Sequence, residues 1–82
     1  MKGMPLTREE LQQILQRCEA ATPSPWRSYV EGRDHDSGDS FIKAPGRDIY
    51  LSGASLADQD FIAAARQDLP RLVNELLKLK GW

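Results

Sequence analysis

One cysteine, Cys18, and one histidine, His35, are all that the chain holds of the two residue types most used in metal and nucleophilic centres. A lone cysteine excludes an internal disulfide and every multi-cysteine zinc pattern. A lone histidine means that any His-based site must be built on residue 35. Long apolar runs are missing too: no stretch approaches the roughly 18–20 residues of a membrane span. The MKGMPLTREE start lacks the apolar core of a secretory leader. A soluble protein of the reducing cytoplasm is the expectation. Net charge is scarce, since 11 Lys and Arg against 12 Asp and Glu leave −1 at pH 7. The absence of a basic stripe or an acidic tail argues against nucleic acid as a partner. Also absent are a glycine-rich phosphate loop between strand and helix, a G-x-S-x-G elbow and an H-E-x-x-H pair. No cofactor, no metal ligand set and no catalytic residue is therefore assigned.

What is present suits one small domain spanning residues 1–82. An apolar content of 40% with 28% charged residues is ordinary for a folded chain and argues against global disorder. A chain of this length buries only about 60–65% of the surface it exposes when unfolded. Its net stability is expected at about 4–12 kcal/mol. Pairing into a homodimer would add burial, so a second copy is an expected partner.

The first element is a helix over about Thr7–Ala20. Thr7 and Glu10 have capping-box spacing, and Leu11, Ile14, Leu15 and Cys18 form an apolar stripe at i, i+3, i+4, i+7. Cys18 on that stripe reads as a small core residue, because an apolar setting raises a thiol pKa. Thr22-Pro23-Ser24-Pro25 ends the helix in a stiff, extended linker. Trp26–Gly32 alternates as a strand, Phe41–Lys43 makes a second, and Ala44-Pro45-Gly46-Arg47 is a turn signal. Asp48–Ser52 makes a third strand, and the short connections favour an antiparallel meander. Ser55 is an N-cap for the remaining segment, with Asp58 three residues on. There Ile62, Ala65, Leu69, Leu72, Val73 and Leu76 hold a helical stripe. Pro70, with Asp68 as a fitting N-cap before it, predicts a break or kink near Gln67–Leu69, giving segments 55–66 and 68–80. The fold class expected is α+β: an N-terminal helix, a three-stranded antiparallel β-meander, and a kinked or broken C-terminal helical segment on one sheet face.

Two segments carry a resemblance. Ala21-Thr22-Pro23-Ser24-Pro25-Trp26 resembles an ATPGPW signature of small bacterial and phage-encoded proteins of uncharacterised function. Residues 57–72, ADQDFIAAARQDLPRL, resemble the ADxxFIAAARxDVPxLL segment of the same group. EGRDHDSGDSFI between them is similar to a stretch in one bacterial subgroup. The matches cover roughly half of the chain in the same order, with Ser24 in place of glycine and Leu69 in place of valine. The resemblance implies a compact domain and a link to mobile elements, and it brings no activity with it.

Three constellations remain as candidate sites. Asp34-His35-Asp36, with Glu31 and Asp39, could gather a divalent cation or do acid–base work, and the Ser37 and Ser40 hydroxyls adjoin it. The competing reading is a solvated turn. On the outer sheet face, alternation gathers Arg27, Tyr29, Phe41, Lys43 and Tyr50, opposite Val30, Ile42, Ile49 and Leu51. Aromatics interleaved with cations could stack bases, although Glu31 and Asp48 share that face. Leu77, Leu79 and Trp82 fall off the main helical stripe and suggest a second apolar face for a partner. The reading that follows is a non-enzymatic, self-associating protein-interaction module, with Tyr29, Tyr50, Leu77, Leu79 and Trp82 as partner-binding residues. A metal-dependent or acid–base enzyme on the Glu31–Asp39 loop and single-strand nucleic-acid binding by the sheet face are the alternatives.

Overall fold

The computed structural model describes residues 5–36 and 38–82, so Ser37 and the first four residues lie outside it. Helix α1 spans Arg8–Ala20. Its capping box is complete: the Glu10 amide donates to the Thr7 hydroxyl, and the Thr7 amide to the Glu10 carboxylate, each at 3.1 Å. Strands β1 (Arg27–Tyr29), β2 (Phe41–Ala44) and β3 (Arg47–Ile49) then form an antiparallel sheet in the order β1-β2-β3. Pro45 and Gly46 close the β2–β3 hairpin. Gly46 takes φ 78°, a conformation in which an L side chain is strained. The last element, α2, runs Leu56–Leu79, with Ser55 and Asp58 forming a second reciprocal capping box.

The meander and the two flanking helices agree with the sequence expectation, but three details differ. The strands are shorter than 26–32 and 48–52, because the chain on either side of β1 bonds elsewhere. Before it, the Trp26 amide donates to a side chain of α2; after it, Val30–His35 closes a turn. The third difference is the expected break at Gln67–Leu69. The segments 55–66 and 68–80 are one helix, with Pro70 inside it. Proline removes the amide that would bond the Arg66 carbonyl and costs about 3 kcal/mol inside a helix. The helix continues through it where α2 lies beside α1: Leu15, Cys18 and Glu19 of α1 border a cleft with Arg66, Pro70 and Asn74.

The buried apolar side chains among the described residues are Leu11, Val30, Ile42, Ala44, Ala63 and Val73. They come from α1, the inner sheet face and one side of α2, which makes a small core between two layers. Twenty-four residues give α2 a length of about 36 Å. The molecule is correspondingly long, 48 × 32 × 19 Å, with a radius of gyration of 15.4 Å. A compact chain of this length would have about 12 Å. No helix among the described residues is long and apolar enough to cross a membrane.

Candidate interaction surfaces

The acidic loop folds into a turn held by its own charges. The Val30 amide donates to Asp34 Oδ2 at 2.8 Å, and the Arg33 and Asp34 amides both donate to the Val30 carbonyl. Arg33 Nε reaches Asp34 at 2.9 Å, while its two terminal nitrogens grip Asp60 on α2 at 2.9 and 3.0 Å. The Arg33 fork, with help from the Ser28 hydroxyl, lowers the Asp60 pKa to about 2. The Val30 amide, then Arg33, lowers that of Asp34, and the two carboxylates raise that of Arg33. Glu31 and Asp36 are exposed, and His35 is half-buried with its ring 5.7 Å from that of Phe41. Among the described residues, no three His, Cys, Asp or Glu side chains converge as a metal-ligand set.

The Arg33–Asp60 clamp makes a pH prediction. A carboxylate with a pKa below its unfolded value stabilises the fold above about pH 4 and loses that contribution as pH falls towards 2. Asp60→Asn should therefore flatten the fall in melting temperature between pH 4 and pH 2. Thermal melts across that window check it; an unchanged slope would remove the clamp from the acid response.

Two glutamines on α2 tie the helix to the sheet, and the sequence pattern did not single out either. Gln59, only 4% exposed, donates through Nε2 to the Ser28 hydroxyl and lies 3.3 and 3.2 Å from the Tyr29 and Phe41 carbonyls. Two turns on, Gln67 accepts from the Trp26 amide at 2.6 Å and donates to the Trp26 and Ala63 carbonyls. Arg66 Nε and the Trp26 indole both donate to the Thr22 carbonyl. The 21–26 segment and the 57–72 segment are thus bonded to one another. The polar residues there hold the two segments together.

On the outer sheet face the strand register places Tyr29 opposite Phe41, and one further step along β2 and β3 brings Phe41 beside Tyr50. Ring centroids are 5.5 Å apart for Tyr29–Phe41, nearly parallel at 17°, and 5.6 Å for Phe41–Tyr50. Tyr50 is 60% exposed. Two residues along the strands lies a second row, Arg27–Lys43–Asp48, with Arg27 also over the Tyr29 ring at 5.9 Å. The sequence-based grouping of Tyr29 and Tyr50 is therefore one continuous surface.

Leu77, Leu79 and Trp82 do not share one face. Leu77 is half-buried, one turn from buried Val73, whereas Leu79 is 81% exposed. Trp82 folds back over the end of α2: its amide donates to the Leu77 carbonyl, Gly81 sits at φ 70°, and Lys80 Nζ lies 5.1 Å from its ring. The stripe expected to face the core divides instead. Val73 turns inward, while Leu69 and Leu72 stand 43% and 62% exposed. Ile62, Ala65, Leu69, Leu72, Leu76 and Leu79 recur at intervals of 3, 4, 3, 4 and 3, the a/d spacing of a helix–helix seam. Towards α1 the seam opens into an apolar groove of about 340 Å³, bordered by Ile14, Cys18, Ala21 and Trp26. Asp68 and Glu75 flank the seam on one side, with exposed Phe61; Arg66, Val73 and Lys80 flank it on the other.

Comparison of the chain with protein-family models, with curated proteins and with solved structures finds no match.

Proposed function

We propose that this chain is a non-enzymatic protein-interaction module that self-associates, the α2 helices of two copies packing in parallel along the Ile62–Leu79 seam. The observation that carries this reading is the exposure of Leu69, Leu72 and Leu79 along the seam, beside a core of only a few buried side chains. The whole chain exposes 6292 Å². A compact monomer of 9.2 kDa would expose about 4,900 Å². That excess is more than the roughly 800 Å² per partner that a standard interface buries.

Charge chooses the orientation. In a parallel pair each flanking residue meets the one five positions on in the other helix, so Glu75 of one copy faces Lys80 of the other. In an antiparallel pair with Leu69 against Leu72, Asp68 of each copy would face Glu75 of the other, two repulsive contacts in place of two attractive ones. Helix α1 borders the Ile62–Leu69 end of the seam across the apolar groove, and Leu72 and Leu79 are its most exposed positions.

The test is sedimentation of the native chain together with oxidation of a Cys18→Ser/Leu72→Cys variant. A concentration-dependent dimer that becomes disulfide-linked through position 72 is the expected result. A monomer at every concentration overturns self-association. A dimer that cross-links only in a Cys18→Ser/Leu69→Cys/Leu72→Cys chain overturns the parallel arrangement.

A further inference from the structure

The outer sheet face carries two rows of different chemistry, and their spacing is that of a base and its phosphate. Tyr29 of β1, Phe41 of β2 and Tyr50, the residue after β3, form a band of three rings. The parallel row begins with Arg27 directly opposite Lys43. Like charges in directly opposed positions destabilise a sheet. Among the described residues neither cation is held in an ion pair, although Asp48 stands opposite Lys43 on its other side and Arg27 lies over the Tyr29 ring, so no direct ion-pair partner offsets the repulsion between the two. An anion seated between them would relieve it. The rows are two residues apart along the strands, about 6.6 Å, on the order of the distance from a nucleobase to its own phosphate.

We propose that this face binds single-stranded nucleic acid, with bases stacked on Tyr50 and its neighbouring rings and a backbone phosphate between Arg27 and Lys43. Stacking on aromatic side chains accepts any base, because every base has a π-face. The overall charge of −1 does not decide the matter, since at 0.15 M salt a phosphate feels charges within about 8 Å. Within that range of the Arg27–Lys43 pair the register supplies one carboxylate, Asp48, on the far side of Lys43. This orients the phosphate towards the β1 edge. The site is separate from the α2 seam, so it stands or falls independently of self-association.

Fluorescence anisotropy of a labelled oligothymidine, titrated with the full chain at several salt concentrations, tests the proposal. Binding should weaken with salt with a log–log slope of about −0.7, the value for one phosphate neutralised on a single strand. Tyr50→Ala should weaken it roughly tenfold through the lost stack. Lys43→Glu should weaken it at least as much and lower the slope. Both positions are solvent-exposed, so the variants should keep the native circular dichroism. No anisotropy change at about 100 µM chain in low salt, the weak limit of non-specific binding, overturns the proposal. So does binding that both variants leave unchanged, or a loss of dimer in either variant, which would make the face a subunit contact.

Discussion

Gln59→Met is expected to lower the stability of the fold by about 2–3 kcal/mol, although methionine matches glutamine closely in length and helix propensity. The reason lies in what the Gln59 amide reaches. Its nitrogen lies within bonding distance of the Ser28 hydroxyl, the Tyr29 carbonyl and the Phe41 carbonyl, at the point where α2 crosses β1 and β2. A thioether fills the space and donates nothing, so the carbonyl oxygens lose a buried partner at about 1–3 kcal/mol for each group left unsatisfied. In a domain with about 4–12 kcal/mol in total, this removes a large share. The melting temperature should fall by roughly 10–20 °C, since each kcal/mol moves a domain of this size by about 4–8 °C. Gln59→Glu should do worse, because it sets a carboxylate oxygen against two carbonyl oxygens and invites burial of a charge. Urea unfolding followed by circular dichroism reads both. A Gln59→Met chain within about 0.5 kcal/mol of the native one, the range of an ordinary surface change, would show that the contact adds nothing to stability.

The second large effect should fall on association and spare the fold. Leu72→Glu/Leu79→Glu places two carboxylates in the proposed seam of each copy, at positions 62% and 81% exposed in the single chain. Four leucines per dimer lose burial, each worth about 1.5–3 kcal/mol when complete. Even partial burial sums to more than about 4 kcal/mol, so the dissociation constant should rise at least about 1,000-fold. Stability measured on the dilute, monomeric chain should stay within about 0.5 kcal/mol, as for other exposed changes. At high concentration the native chain should melt higher than the variant, because association adds to apparent stability by mass action. Equal sedimentation of the two chains at all concentrations would remove the seam as an interface. A variant that unfolds when dilute would instead mean that these leucines belong to the core of the single chain.

The contrast between Gln59 and Leu72 explains why the surfaces were harder to read than the elements. Thr7 with Glu10, and Ser55 with Asp58, announce helix starts because capping is local chemistry at fixed spacing, and both boxes form. Alternation in three short segments assigned Tyr29, Phe41 and Tyr50 to one face, because side chains on a strand repeat every two residues whatever packs on them. Gln59 carries no such mark. On a helical wheel it reads as one more polar residue, and only the crossing of α2 over the sheet turns it inward. Pro70 misled for a related reason. Its local cost is real, yet α2 continues through it beside α1. The apolar stripe of α2 is wider than a single contact, and the pattern does not say which part is covered: Val73 is buried, while Leu69 and Leu72 stand 43% and 62% exposed.

By itself, then, the sequence determined the helix starts at Thr7 and Ser55, that three strands form a meander, which residues share each sheet face, and that one cysteine allows no internal disulfide and no multi-cysteine zinc pattern. Each follows from interactions between residues a few positions apart or from the presence of a residue type. Tertiary structure alone decided that α2 is continuous through Pro70, that Arg33 holds Asp60, and that Gln59 and Gln67 bind the sheet and the 21–26 segment to the helix. It also decided which leucines remain uncovered. These depend on contacts between residues some twenty to forty positions apart, whose energies are set by the angle and register of packed elements and leave no periodicity in the chain.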